Sequence, residues 1–279
     1  MIVVGVDGMR PGVLAAEWAA GEAVLRGLPL NVVNVVPAWC LLSDLTGTIA
    51  EVGAWMRNGG EAALAEAAAA ARRAAEKAAV ETSLLSGDPR HELIEISREA
   101  DLLVVGDSGM GSLRGLLIGS VALGVAGHAH CDVVVVRPPA TAPQAEVVVG
   151  VDGSAAQGDV LDFAFREAAA RDAALRAVLA WNWRDVLGAG TLGDEPEDGR
   201  RALAEAMAGR RELFPDVRVS MEVVEGHPVD VLRQAAAQAE LLVVGSRGHA
   251  ALAGMVLGSV SQALLHVAPC PVAVVRTRR

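Results

Sequence analysis

Residues 243–261, VVGSRGHAALAGMVLGSVS, carry the residue types and spacing in this chain that could do chemistry. Gly245 and Gly248 are separated by two residues, nine more follow, and Gly258-Ser259 then opens another apolar run. Glycine lets the backbone turn with positive φ and lets a ligand approach where a Cβ would stand. A helix starting at Gly258-Ser259 presents unpaired N–H groups and the positive end of its dipole to whatever the loop encloses. Phosphate is the natural ligand of such an end, with the Ser259 hydroxyl as a further donor. Arg247 and His249 can add charge-assisted bonds. For one occurrence a plainer account is equally open, in which the glycines only turn the chain and Ser259 is an ordinary N-cap.

The pattern occurs twice, which weakens the plainer account. GDSGMGSLRGLLIGSVA at 106–122 keeps Gly106, Gly109, Gly119 and Ser120 at the same spacing. Around it the whole chain repeats. VVGVDG at 3–8 recurs at 148–153, an offset of 145. LLVVG at 102–106 recurs at 241–245, and CDVVVVR at 131–137 is answered by CPVAVVR at 270–276, both at an offset of 139. The six-residue difference falls between the first strand and Gly87, where GDP answers GHP at 226–228. Two homologous domains are expected, 1–138 and 146–279, joined by the proline-rich RPPATAPQAE at 137–146.

The elements that must position these loops alternate. In the first half, 2–6, 30–36, 80–85, 102–105 and 133–136 read as strands. The helical stretches are 11–26, with proline at its start, then a long Ala/Glu/Arg helix ending near Ala79 after a break at Asn58-Gly59-Gly60, then 89–99 and 119–126. Alternating strands and helices with continuously apolar strands imply a parallel sheet covered on both faces, and right-handed crossovers make it doubly wound. Ligands of such sheets sit at the carboxyl ends of the strands, where VGVDG and VVGSRG both lie.

Composition narrows the function classes. The net charge of −10 offers no electrostatic footprint for nucleic acid or an anionic membrane. Lys77 is the only lysine, so neither a P-loop lysine nor a Ser-x-x-Lys pair exists. The opening MIVVGVDG reads as a strand and not as a signal peptide, and no apolar run reaches membrane-spanning length. Three cysteines, an odd number, argue against a disulfide framework and for a reducing compartment, so a cytoplasmic location is expected. With 52% hydrophobic but only 3% aromatic residues and no tyrosine, alanine, valine and leucine must fill the core.

The strand-end VGVDGS at 149–154, GHP at 226–228, VVGSRGH at 243–249, LGSVS at 257–261 and the closing CPVAVVR at 270–276 resemble the universal stress protein family in its tandem form. The resemblance implies two tandem five-stranded parallel sheets of order 3-2-1-4-5, a fold of the adenine nucleotide alpha hydrolase-like class. It also implies ATP as the ligand, with Mg²⁺ accompanying the phosphates within reach of Asp7 or Asp152. In half two, Asp152 would then sit by adenine and ribose, and Ala180 would meet adenine through its backbone. Val244 and Gly245 would line the nucleotide, and Gly248, Gly258, Ser259 and Val260 would hold ribose and phosphates, beside Arg247, His249 and Ser261. The matching positions in half one are Asp7, Val35, Val105, Gly106, Gly109, Gly119, Ser120 and Val121.

The copies are unequal. Asp107 replaces Ser246, Ser108 replaces Arg247, Met110 replaces His249 and Ala122 replaces Ser261, while Arg114 stands where half two has Ala253. A carboxylate beside a phosphate site repels, so half two is expected to bind ATP more tightly. Three other patterns carry less. GAGTLG at 188–193 matches G-x-G-x-x-G but lies where the repeat varies, and reads as a surface loop. GDSG at 106–109 with AHC at 129–131 has the wrong order and context for a serine protease. HAHC at 128–131 offers metal-ligand types, yet half two has VAPC there. A regulatory nucleotide sensor with little or no turnover is therefore expected, with no catalytic residues, and with the last strands, ending at Val136 and Val275, pairing the two halves edge to edge and leaving a face for a homodimer. A slow ATPase and a ligand-free scaffold are the alternatives.

Overall fold

The computed structural model describes residues 1–42, 46–108, 118–139, 141–153, 157–181, 196–247 and 257–277. Gly109, Gly248, His249 and the GAGTLG stretch lie outside the described residues. The chain divides into two compact units, Met1–Arg137 and Pro138–Arg279.

In the first unit the order is β1 (Ile2–Gly5), α1 (Arg10–Arg26), β2 (Leu30–Val36), a 3-10 turn (Ala38–Leu41), α2 (Gly47–Ala74), β3 (Val80–Ser86), α3 (Pro89–Ile96), β4 (Leu102–Gly106), α4 (Ser120–His128) and β5 (Asp132–Val136). The strands are all parallel and lie in the order β3-β2-β1-β4-β5. The second unit runs β6 (Glu146–Val151), α5 (Gln157–Ala170), β7 (Ala174–Trp181), α6 (Pro196–Leu213), β8 (Val219–Glu225), α7 (Pro228–Ala235), a 3-10 turn (Ala236–Gln238), β9 (Leu241–Gly245), α8 (Ser259–Val267) and β10 (Val272–Val275). Its order is β8-β7-β6-β9-β10, again parallel. Each unit is thus a doubly wound sheet of order 3-2-1-4-5. Leu30 and Leu175 hold equivalent registers 145 apart, and Val80 and Val219 hold equivalent registers 139 apart. The six-residue difference therefore lies between the second and third strands of each half.

Small aliphatic side chains make the cores. Val3, Val4, Leu103, Val104, Val133 and Val134 are fully buried in the first sheet, as are Val147, Val148, Leu242 and Val243 in the second. Each such residue contributes about 1.5–3 kcal/mol of burial. Helix α2 lays an alanine face (Ala63, Ala67, Ala68, Ala70, Ala71) on its sheet. The break expected at Asn58-Gly59-Gly60 does not occur, and α2 runs through it. A Cβ on Gly60 would stand 2.7 Å from Asn34 Oδ1 and 2.8 Å from Leu84 Cδ1, so this glycine lets the helix approach the sheet closely. Gly199 repeats the device in α6, where a Cβ would stand 2.9 Å from Leu179 Cδ2.

Charged groups inside the units are paired. Glu22, 1% exposed, binds Arg26 one turn along α1, and Glu167, 2% exposed, binds Arg171 at 2.5 Å in α5. The two pairs occupy repeat-equivalent positions. Across the second sheet Arg176 of β7 donates to Glu222 of β8 at 2.7 Å and lies 4.0 Å from Glu146 of β6. The hydrogen bond to Glu222 raises the Arg176 pKa above its ordinary value, against the opposing effect of burial.

Candidate functional site

The residues singled out by the repeat converge on the carboxyl edge of each sheet. Val105 and Gly106 end β4, and Val244 and Gly245 end β9. Val35 and Ala180 stand one residue before the ends of β2 and β7. Asp7 and Asp152 follow β1 and β6, the strands that neighbour β4 and β9. Winding reverses between these neighbours, which opens a crevice there.

A helix start is stapled over each crevice. The Gly119 amide donates to the Asp107 carbonyl at 2.8 Å, and the Gly258 amide donates to the Ser246 carbonyl at 2.8 Å. The Asp107 and Ser246 amides in turn donate to Val136 and Val275, the last residues of the adjoining strands, at 2.9 and 2.8 Å. However the intervening loop runs, its two ends are thus fixed to the sheet. The first intrahelical bonds are Leu123 N–H to Gly119 and Gln262 N–H to Gly258. The amides of Ser120, Val121 and Ala122, and of Ser259, Val260 and Ser261, precede them. Neither helix has a side-chain N-cap bond or an acidic residue in its first turn. Each start therefore keeps the donors and positive dipole end that an anion requires.

The halves differ in what surrounds that start. In half two Ser246 is buried, and the Ser261 hydroxyl donates to the Gly245 carbonyl at 2.5 Å, locking α8 to the end of β9. Ser261→Ala, which installs the half-one residue, is expected to cost about 1 kcal/mol. The measurement is a lower urea midpoint at unchanged slope, and an unchanged midpoint would show that the bond contributes nothing. The Gln157 side chain accepts from the Gly153 amide at 3.0 Å and fixes the turn after Asp152. Arg247 Nε is buried and has no hydrogen-bond partner among the described residues.

In half one the Asp107 carboxylate accepts from the Ser108 hydroxyl at 3.1 Å and lies 3.9 Å from Arg137 Nε. Asp7 Oδ1 accepts from the Met9 amide at 3.0 Å. A Cβ on Gly106 would stand 2.7 Å from both the carbonyl carbon and oxygen of Pro11, so the start of α1 rests directly on the end of β4. On Gly245 it would meet the Arg247 carbonyl at 3.0 Å and Val160 Cγ2 at 3.2 Å.

Three participants escaped the sequence patterns. Arg137 meets Asp107 only through the register of β4 and β5, and Pro11 meets Gly106 only through the placement of α1. Trp181, next to Ala180 at the end of β7, has a buried indole N–H with no partner among the described residues. Its aromatic ring at a strand end was the available signal. Among the described residues no three His, Cys, Asp or Glu side chains gather to hold a metal by protein ligands alone.

Comparison with known proteins bears on this twofold crevice. The model of the family described as the universal stress protein family matches twice, over residues 1–137 and 145–276. The chain belongs to the universal stress protein family. A universal stress protein of Mycobacterium tuberculosis is 39% identical over 284 residues, covering 99% of this chain and 96% of that relative. A second from the same organism is 34% identical over 289 residues, with the same coverage of 99% and 96%. The crystal structure of a universal stress protein from Archaeoglobus fulgidus superposes with a TM-score of 0.73 at 22% identity, covering 99% of this chain and 96% of that one. At that identity it shares the fold, two tandem domains included. No described helix of this universal stress protein is long and apolar enough to cross a membrane.

Proposed function

We propose that this universal stress protein binds an adenine nucleotide, ATP, in half two and acts as a cytoplasmic regulatory nucleotide sensor with little or no turnover. The observation that carries the proposal is the start of α8. Three uncapped first-turn amides are pinned over the end of β9 by the Gly258–Ser246 bond, and the Nε of Arg247, next in sequence to Ser246, is buried without an acceptor among the described residues. A buried donor left unmade costs about 1–3 kcal/mol, which an anion accepting from it would recover. In this arrangement the amides of Ser259 and Val260 and the Ser259 hydroxyl hold phosphate, with Arg247, Gly248 and His249 along the loop. Asp152 and the Ala180 backbone meet ribose and adenine, and Val244 and Gly245 line the floor. Mg²⁺ would travel with the phosphates, supplying charge neutralisation, with Asp152, which follows β6 at the same sheet edge, as the carboxylate to meet it.

Turnover needs a base or water-orienting group beside the terminal phosphate. The described residues around α8 offer hydroxyls, amides and a guanidinium, which suit holding better than hydrolysis. The experiment is to heat-denature the purified chain, identify released nucleotide, and then follow added ATP·Mg for ADP. Bound ATP with negligible ADP supports the sensor. Rapid multiple turnover would replace it with an ATPase, and protein without nucleotide or affinity would leave a scaffold.

A further inference from the structure

We infer that Asp107 closes half one to nucleoside triphosphates, leaving the chain with one triphosphate site. The inference rests on the nucleotide-binding reading of half two. Asp107 and Ser246 are the same position in the two copies, and their backbones do the same work. Each amide donates to the last residue of the adjoining strand and each carbonyl accepts from the first glycine of the helix start. The side chains therefore leave the backbone at the same point of the two crevices. Half two places there a small buried serine, and half one places a carboxylate.

The surroundings of that carboxylate remove what a phosphate chain would use. Its Oδ2 lies 3.9 Å from Arg137 Nε, so the guanidinium already faces an anion built into the chain. Its Oδ1 takes the Ser108 hydroxyl at 3.1 Å. Ser108 itself stands where half two has Arg247, so that position supplies no cation. The Pro11 backbone rests against Gly106 at the same strand end. A triphosphate entering half one meets like charge at close range in a partly desolvated crevice, where repulsion is weakly screened. Asp7 and Val35 keep the base-side positions, so the exclusion acts on the phosphate chain.

The test is stoichiometry on the full chain, by calorimetric titration with ATP·Mg and by photo-crosslinking with 8-azido-ATP followed by peptide mapping. The parent chain is expected to bind one ATP, crosslinked within Pro138–Arg279. Asp107→Asn, which keeps an acceptor for Ser108, and Asp107→Ser are each expected to bind two, with new crosslinked peptides from Met1–Arg137. Ser246→Asp is expected to weaken half two at least tenfold. Two equal sites in the parent chain would overturn the inference, as would Asp107 variants that melt like the parent and gain no half-one peptide. A parent chain with no ATP bound sinks the half-two reading instead. In that case a half-one site gained in Asp107→Asn still supports the role of Asp107, and no gain overturns it too.

Discussion

Ser259→Pro is expected to lower ATP affinity by about a hundredfold while the chain melts as the parent does. Proline is tolerated at the first helical position because its missing N–H is one that the helix leaves unpaired, and its fixed φ suits the helix. The residue before a proline must be extended, and Gly258 already is, with φ −67° and ψ 149°. Fold and helix should therefore survive. What disappears is one amide donor and one hydroxyl donor aimed at the phosphates. Hydrogen bonds to charged groups are worth about 1.5–3 kcal/mol each, so two lost bonds amount to roughly 3 kcal/mol or a little more. Ser120→Pro is the control, since Gly119 has φ −63° and ψ 146° and tolerates the same change. It should leave ATP titration unchanged. Undiminished affinity in a folded Ser259→Pro chain would show that α8 does not seat the phosphates.

The two homologous halves and their parallel sheets were legible because the chain spells them twice, whereas the strand order came from the family resemblance. A parallel strand buried on both faces must be apolar throughout, so LLVVG at 102–106 and at 241–245 announces two central strands without any neighbour being known. Helix limits were less legible. Ala75 to Ala79 have good helix propensity, yet α2 stops at Ala74, because the chain must reverse and the Ala79 carbonyl accepts from the Leu30 amide at the start of β2. Asn58-Gly59-Gly60 has poor propensity, at about 1 kcal/mol per glycine, yet α2 continues through it. Close packing of Gly60 on Asn34, Leu84 and Val36 offsets that cost. In both places tertiary contacts outweighed a local preference.

The same division holds at the crevice. Spacing alone brought Gly245, Gly258 and Ser259 together, because glycine and serine at a helix start have local reasons that a sequence displays. The Asp107–Arg137 pair depends on the register of two strands separated by a helix, and no spacing rule encodes it. Gly106 is the sharpest instance. In sequence it is the twin of Gly245, and the resemblance assigns both to the nucleotide. The structure supplies a separate reason for glycine at 106, the Pro11 backbone against its Cα.

That reason sets apart two substitutions that are identical on paper. Gly106→Ala would force a Cβ to within 2.7 Å of two backbone atoms of Pro11, which cannot swing aside as a side-chain end can. Either α1 shifts off β4 or the strand end bends, and overpacking of this kind costs about 3 kcal/mol. For a unit of this size the loss corresponds to a melting shift of about 10 °C. Gly245→Ala meets its nearest atoms at 3.0 and 3.2 Å, the Arg247 carbonyl and a valine methyl, and a displacement of a few tenths of an ångström relieves both. A cost of about 1 kcal/mol is expected, together with a displaced Arg247 carbonyl and weaker ATP binding. Scanning calorimetry of the two full-length variants checks the difference, and equal melting shifts would refute the packing role of Gly106. Because the half-one substitution acts on folding, only the half-two substitution reports on the nucleotide, and a binding defect in Gly106→Ala has to be read against its melting before it says anything about a site.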